Sequence, residues 1–464
     1  MKIILLSGGS GKRLWPLSNS VMSKQFLEIL PTSDGKKESM VQRVYRQIRK
    51  YTKEKIFIVA PEIQRELIKQ QLGDTVEFVS EPCRRGTYNA IQLACSRIMK
   101  HITPDKFLKG PQIDLNNSYI AIDKTGFIQD NGCTYLKYLN EQVCVIPIDV
   151  FVEDDFFNIL NDIEKSIKTS NKMITLVGIK PTCPSTNYGY IVPDKDKYRF
   201  FEKPDREKAI EYIDAGGLWN AGIFGFSLEM YRYLDEDFIR YHYINKPDVS
   251  FDCAICEKTD SISVVKYDGQ WKDIGTWSTL SEEIDSYQGI ISQENCTNTT
   301  IINTLNKPLI ALGLDNVVVA VTHDGIVVSN KDESYKVKNY VKDSKPFFEK
   351  RRWGEYYILD YGDGFLIKRL KINAGKSISY QVHNHRKEVW TIVSGEGILT
   401  INDLQRCVRS GDAIVIDIGE KYKISATSDV TFIETQLGDI LDESDIERCH
   451  EDSTHPCEEH CCPN

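Results

Sequence analysis

The apolar run Lys2-Ile3-Ile4-Leu5-Leu6 breaks at Ser7 into Gly8-Gly9-Ser10-Gly11 and then into Lys12-Arg13-Leu14-Trp15-Pro16-Leu17. A short apolar run that ends in glycines reads as a buried strand feeding a tight loop, whose backbone N–H groups can close around phosphate oxygens. The loop is not a P-loop. Arg13 follows Gly11-Lys12 where a Ser or Thr would hold magnesium, and Leu6 stands where the first glycine belongs. It is also a poor dinucleotide fingerprint, because Leu14 occupies the third glycine position. An ordinary strand-to-helix turn could look the same, so the choice falls to residues downstream.

At 464 residues the chain is too long for a single hydrophobic core, and roughly two to four domains are expected. A formal charge of −9 opposes binding to nucleic acid, which needs a basic face. The nucleotide partner should therefore be a small molecule. No window has the unbroken apolar length of a membrane span, and the first apolar run is too short for a signal-peptide core. The chain reads as cytoplasmic, with no membrane partner. Most of the 13 cysteines stand singly and read as small buried hydrophobes, and Cys253 with Cys256 reads as a helical core pair.

Up to about residue 100, strand and helix patterns alternate as in an α/β sheet. Lys55–Ala60 is a buried strand, Glu62–Leu72 an amphipathic helix, and Arg85-Gly86-Thr87 opens another helix. Residues 103–140 show little periodicity and read as an insertion, with a hairpin as one form. Val143–Ile148 restores the sheet and ends in Asp149, where open α/β sheets place their ligands. Asp149 is a candidate metal ligand on that ground, although an Asp after a strand more commonly caps a helix. Asp273 stands in the same relation to a following helix. Residues 187–191 and 200–204 read as edge strands over the site. Residues 290–345 turn to short strands broken by Asn, Thr and Gly, the pattern of solenoid coils or of a compact β linker. Residues 354–438 alternate as strands punctuated by glycines, the pattern of a small antiparallel barrel. The expected domains are 1–287, 288–345 and 346–448, followed by a disordered Cys/His-rich tail at 449–464.

The N-terminal motifs, taken in order, resemble those of the sugar-nucleotide pyrophosphorylases and, more closely, the mannose-1-phosphate guanylyltransferases. They are G-G-S-G-K-R-L-W-P-L at 8–17 with Ser23-Lys24-Gln25-Phe26-Leu27, Glu81-Pro82 with Arg85 and Thr87, and Pro147 with Asp149. Y-G-Y at 188–190, E-K-P at 202–204, W-N-A-G at 219–222 and W-K-D-I-G-T-W at 271–277 continue the series. The resemblance implies a Rossmann-like mixed sheet and in-line attack of a sugar-1-phosphate oxygen on the α-phosphorus of GTP, with pyrophosphate leaving. No covalent intermediate is needed, so catalysis means holding two polyanions together and screening charge. In that reading Leu6, Gly8, Gly9, Gly11, Arg85 and Thr87 bind the nucleotide. Arg13 and Lys24 brace the leaving phosphates, while Asp149 and Asp273 hold one Mg²⁺ across from them. Gly189, Glu202, Lys203 and Asn220 bind the sugar phosphate.

The chain departs from the family at Lys12, Ser23 and Gly86, where Thr, Pro and Asn are usual, and Leu-Pro-Ala-Asp-His becomes Ile146-Pro147-Ile148-Asp149-Val150. These changes, with the insertion at 103–140, bear on the sugar and the base more than on the chemistry.

The C-terminal segment resembles the cupin of type II phosphomannose isomerases, on Arg352-Trp353-Gly354, Tyr357 and Gln381-Val382-His383-Asn384-His385-Arg386-Lys387-Glu388. There the resemblance makes Gln381, His383 and Glu388 ligands of Zn²⁺ or another divalent metal, with Arg386 a candidate catalytic group. A fourth ligand, a His, has become Tyr422. A phenol is a poorer zinc ligand than imidazole at neutral pH.

The leading expectation is formation of GDP-mannose from GTP and mannose-1-phosphate. Its rivals are the same chemistry on another sugar such as a heptose-1-phosphate or with another nucleotide, a bifunctional enzyme with a working isomerase, and a non-catalytic nucleotide-sugar-binding protein. The sequence sets no oligomeric state, and a homo-oligomer is compatible with it.

Overall fold

A computed structural model of the chain describes residues 1–8, 12–19, 22–32, 34–102, 140–231, 236–341 and 346–449. The chain forms two compact units, Met1–Ser10 with Lys24–Ile284, and Gly11–Ser23 with Asp285–Asn464. The reading of 103–140 as an insertion lies almost wholly outside the described residues, and the expected disorder of the tail lies outside them from residue 450.

The first unit is built on a mixed sheet. Its strands run in the order Lys197–Phe201, Tyr190–Asp194, Leu218–Ser227, Gln142–Pro147, Lys2–Leu6, Ile56–Pro61, Val76–Glu81, with Ile174–Ile179 also beside Leu218–Ser227 and Ile262–Tyr267 beyond it. The strand that feeds the glycine loop is central and parallel to both neighbours, with Leu6 beside Val59 and Pro147. Ile3, Ile4 and Leu5 are fully buried. A strand covered on both faces has no polar side to present, which is why this one reads as a continuous apolar run.

The helix Met40–Arg49 begins at a reciprocal cap in which Ser39 and Gln42 satisfy each other's backbone N–H groups, and it buries Met40, Val41, Val44 and Ile48. Arg43 and the buried Gln47 of this helix donate to Val152 O at 3.3 and 3.2 Å, supporting the short strand Val150–Val152. That strand pairs antiparallel with Trp271–Asp273, and Asp273 lies opposite Val150. Two carboxylates far apart in the chain, Asp149 and Asp273, thus become neighbours. The segments expected as edge strands, 187–191 and 200–204, fall on Tyr190–Asp194 and Lys197–Phe201, which pair antiparallel; only Lys197–Phe201 is an edge, since Tyr190–Asp194 is also paired with Leu218–Ser227.

In the second unit, residues 287–330 coil. Ile291 lies parallel beside Leu309 and Thr300 beside Val318, a step of 18 residues in each case. Asn298 donates to Asn316 at 2.8 Å across one such step, and both asparagines adopt positive φ at the corners. Of the two forms open at the sequence level, the parallel stacking is that of a solenoid. The sequence reading joins residues 12–19 to the first domain, whereas the structure packs them on this coil. Trp15 lies against Gly325, where a Cβ would come within 2.4 Å of its ring, and Asn19 Nδ2 donates to Asp324 Oδ2 at 2.7 Å. The indole needs an apolar partner, and Gly325 is small enough to provide a seat.

The C-terminal part is cupin-like, with two antiparallel sheets. One runs in the order Phe348–Arg351, Gly354–Gly362, Phe365–Ile372, Val430–Gly438, Arg386–Ser394, Ala413–Ile416, and the other Leu404–Arg409, Glu396–Ile401, Lys421–Ala426, Gln381–His383, Ile446–Arg448. Ile372, Trp390 and Phe432 from the first pack with Leu399, Tyr422 and Ile424 from the second in one core.

Candidate active site

Lys24 stands in the short 3₁₀ turn Lys24–Phe26 and is buried. Its neighbour Gln25 moors the turn to the start of the glycine loop, with Gln25 Nε2 donating to Ser7 Oγ at 3.0 Å and Ser7 Oγ to Gln64 Oε1 at 2.9 Å. Lys24 Nζ then reaches Asp149 Oδ2 at 2.9 Å, Asp273 Oδ1 at 3.8 Å and the Ile274 carbonyl at 2.9 Å. The sequence reading sets Lys24 with the leaving phosphates and the two aspartates across from it. The structure instead makes Lys24 the cation between the aspartates, because two carboxylates this close need a counter-charge. Both remain about one-third exposed, at 36% and 35%. Two partly exposed carboxylates are the oxygen donor set a hard cation takes, so Asp149 and Asp273 fit Mg²⁺.

Around Asp273 the structure adds Tyr188, which sequence reasoning quoted only as part of a motif. Its ring packs on Trp219 and Trp271 at centroid distances of 4.9 and 5.3 Å. Burial and the negative charge of Asp273 push its phenol up to about 12. The next residue, Gly189, accepts from Asn220 N at 2.9 Å. The strand register shifts between Asn220 and Phe224, with Gly222 at φ +73°, a bulge that only a residue tolerant of positive φ makes cheaply.

Asn220 Nδ2 donates to Asp252 Oδ1 at 2.9 Å, and its Oδ1 accepts from Gly222 N at 3.2 Å. Asp252 was missed in the sequence. It lies on the four-residue helix Phe251–Ala254, capped by Ser250, and only that helix brings it to Asn220. Burial and the charge of Glu202 push its carboxyl up to about 7. Glu202 pairs with Lys203, and the Glu202 N–H donates to Glu257 Oε1 at 3.1 Å. Burial works to lower Lys203, but Glu202 outweighs it and raises the ammonium above its ordinary value. Lys203 adopts φ +43°, an uncommon conformation for a non-glycine residue. Gly189, Glu202, Lys203 and Asn220 are thereby brought together with Asp252 in one polar cluster.

Of the nucleotide-side residues, Leu6 ends its strand and accepts from Ile148 N at 3.2 Å, and Gly8 has open space where a Cβ would stand. Gly9 and Gly11 lie outside the described residues. Arg85 donates to the Ile244 carbonyl, and Thr87 Oγ1 accepts from Phe251 N at 2.8 Å. Between them Gly86 has φ +80°, and a Cβ there would lie 2.1 Å from Val249 O, so the segment 244–251 can close onto this helix only over a glycine. Both side chains thus have a structural task in bracing the segment that carries Asp252. Arg13 is exposed on the turn Lys12–Leu14 of the second unit. Cys256 is buried and Cys253 half-buried on consecutive short helical turns, both as free thiols.

In the second unit Gln381, His383 and Glu388 converge with Tyr422. Burial works to raise Glu388, but His383 and Arg386 hold it down to about 2. Burial and the charge of Glu388 push Tyr422 well above its ordinary value and bring Glu434 up to about 7.

A mixed α/β sheet with a glycine loop at one strand end, paired carboxylates on a lysine and a polar pocket beside them defines a phosphoryl-handling transferase. Residues 2–289 match the family model described as nucleotidyl transferase, and residues 333–451 the one described as mannose-6-phosphate isomerase C-terminal. The chain belongs to the nucleotidyl transferase family.

Among its relatives, the xanthan biosynthesis protein XanB of Xanthomonas campestris pv. campestris (strain B100) is 29% identical over 499 residues, covering 96% of this chain and 97% of that protein. A mannose-1-phosphate guanylyltransferase of Salmonella montevideo is 27% identical over 514 residues, covering 96% and 98%. A solved structure titled mannose-1-phosphate geranyltransferase, from Thermus thermophilus, shares the fold with a TM-score of 0.54 at 23% identity, over 73% of this chain and 97% of that one.

Proposed function

We propose that this chain transfers the guanylyl group of GTP to mannose-1-phosphate, giving GDP-mannose and pyrophosphate. The observation that carries the reading is the meeting of Lys24, Asp149 and Asp273, joined through Tyr188 to the polar cluster of Gly189, Glu202, Asn220 and Asp252. A sugar-1-phosphate oxygen forms the new bond to the α-phosphorus as the bond to the β-phosphate oxygen breaks, and pyrophosphate departs with the electron pair.

Asp149 and Asp273 are the residues that would hold Mg²⁺, which when bound neutralises charge on phosphate oxygens. Lys24 fixes the spacing of the two carboxylates. Glu202 and Asp252 offer acceptors to sugar hydroxyls, Asn220 is held in place by Asp252, and Lys203 faces the sugar phosphate with a fixed positive charge. Leu6 and Gly8 start the loop that takes the triphosphate, together with Gly9 and Gly11. The assignment of Arg13 to the departing phosphates rests on its place in the ordered motifs. A cytoplasmic setting, where GTP is available, belongs to the same reading. Among the described residues no helix is long and apolar enough to cross a membrane.

The test is a matrix of four nucleoside triphosphates against mannose-, glucose- and heptose-1-phosphates with Mg²⁺, scored by pyrophosphate release. GTP with mannose-1-phosphate should turn over fastest. A faster heptose reaction would reassign the sugar, and silence across the matrix would reject nucleotidyl transfer.

A further inference from the structure

In the C-terminal sheets, the resemblance to a metal-dependent isomerase meets a set of side chains that does not fit a metal. The Tyr422 hydroxyl lies 2.5 Å from His383 Nε2, accepts from Gln381 Nε2 at 2.9 Å and donates to Glu388 Oε2 at 2.9 Å. One oxygen therefore touches all three remaining candidate ligands from the point they would share. Gln381 turns its amide oxygen away, to Ser379 Oγ at 3.0 Å, and presents its NH₂ group inward, which has no lone pair to give a cation.

The carboxylate of Glu388 is also in use. Its Oε1 receives Arg386 Nε and Gln436 Nε2, each at 3.2 Å, and its Oε2 receives Trp390 Nε1 at 3.0 Å. Arg386 Nη2 stands 3.1 Å from His383 Nε2. A guanidinium thus already supplies the positive charge that a divalent ion would bring. His383, Glu388 and Tyr422 are at most 2% exposed, so no open position faces solvent.

We propose that the C-terminal domain of this chain is metal-independent, with the Tyr422 hydroxyl at the point a metal would occupy and Arg386 as the counter-charge of Glu388. Hexose-phosphate isomerisation at this site is then absent, and nucleotidyl transfer stands as the separate activity of the first unit. A single reversal, Tyr422→His, should reopen the site: imidazole returns a lone pair, and loss of the hydroxyl frees Gln381 to turn its oxygen inward.

The experiment compares the full-length wild type, His383→Ala, Tyr422→His and the double variant Tyr422→His/His383→Ala. All are dialysed to equilibrium against Zn²⁺ in the presence of excess Mg²⁺, and zinc per chain is measured. The tail and the aspartate pair are common to all four. Wild type and His383→Ala should bind equal amounts, and Tyr422→His should bind one equivalent more, lost again in the double variant.

A wild type that loses one equivalent on His383→Ala would overturn the proposal, as would a folded Tyr422→His that gains none. Thermal melting of the wild type in EDTA and in Zn²⁺ decides the matter without relying on the variant at position 422. The shift between the two conditions should be the same in His383→Ala. A zinc-dependent rise that His383→Ala abolishes would mean that the wild-type domain holds a metal.

Discussion

Lys24 Nζ lies 2.9 Å from Asp149 Oδ2, and the same ammonium is 3.8 Å from Asp273 Oδ1. Without it the two carboxylates would repel each other and drift from the spacing that a shared cation needs. Lys24→Ala should therefore lower kcat by about 10²- to 10³-fold, the range seen when one preorganised charge is removed from a transition state. Lys24 is itself buried and also serves the Ile274 carbonyl, so a stability loss of about 1–3 kcal/mol should accompany the drop in kcat. Pyrophosphate release and thermal melting on the same preparation check both halves. A large loss of stability with normal kcat would make Lys24 a structural residue.

Asp149→Asn keeps size and shape but takes away the charge that pairs with Lys24. Turnover should be lost at all Mg²⁺ concentrations, while the melting temperature stays near that of the wild type. Near-normal rates at saturating Mg²⁺ would remove Asp149 from the metal-holding pair.

At Gly189 an added Cβ would lie 2.4 Å from Phe200 Cζ and 2.9 Å from Glu202 Oε2. Phe200 is buried and cannot move freely, so the strain falls partly on Glu202. Overpacking of this kind typically costs about 1–3 kcal/mol. Gly189→Ala should raise KM for the sugar phosphate about tenfold or more, which corresponds to some 1.4 kcal/mol, with a smaller effect on GTP. Equal effects on both substrates would separate Gly189 from the sugar pocket.

Much of this was legible in the sequence where a residue's neighbours are near in the chain. Lys55–Ala60 and Val143–Ile148 read as buried strands because central strands covered on both faces carry unbroken apolar runs, and Ile56–Pro61 and Gln142–Pro147 form the middle of the sheet with Lys2–Leu6. The pairing of Lys24 with both aspartates was not legible. It depends on the strand Val150–Val152 lying against Trp271–Asp273, and no local pattern sets that register. Asp252 escaped for a related reason: its helix is four residues long, and its partner Asn220 is aimed by a bulge in another strand. The Asn, Thr and Gly of residues 290–345 signalled short strands. The 18-residue step appears only once the coils stack. Trp15 follows the glycine loop in sequence and was grouped with it, but the seat its ring needs is at Gly325.

Asp252 gives the site a pH signature. Its carboxyl is held up to about 7 by burial and by Glu202, against an ordinary value of 3.8. A carboxyl raised on folding contributes stability that is fully present below its unfolded value and is lost as pH climbs through the folded one. In this protein the window runs from about pH 4 to just above 7. Across it the wild type should lose stability relative to Asp252→Asn, with a slope of at most about 1.4 kcal/mol per pH unit for one proton. Glu434, also held up to about 7, titrates in both proteins and cancels in the difference. Chemical denaturation of the pair at pH 4.5, 6 and 8, values chosen to bracket roughly that window, measures the effect. The same substitution should raise KM for the sugar phosphate, since the asparagine can keep its carbonyl on Asn220 Nδ2 but presents an NH₂ donor where the aspartate has its second oxygen. A stability difference that stays flat from the lowest to the highest pH would show that Asp252 is ionised throughout, and the pocket would then present two full negative charges to the sugar.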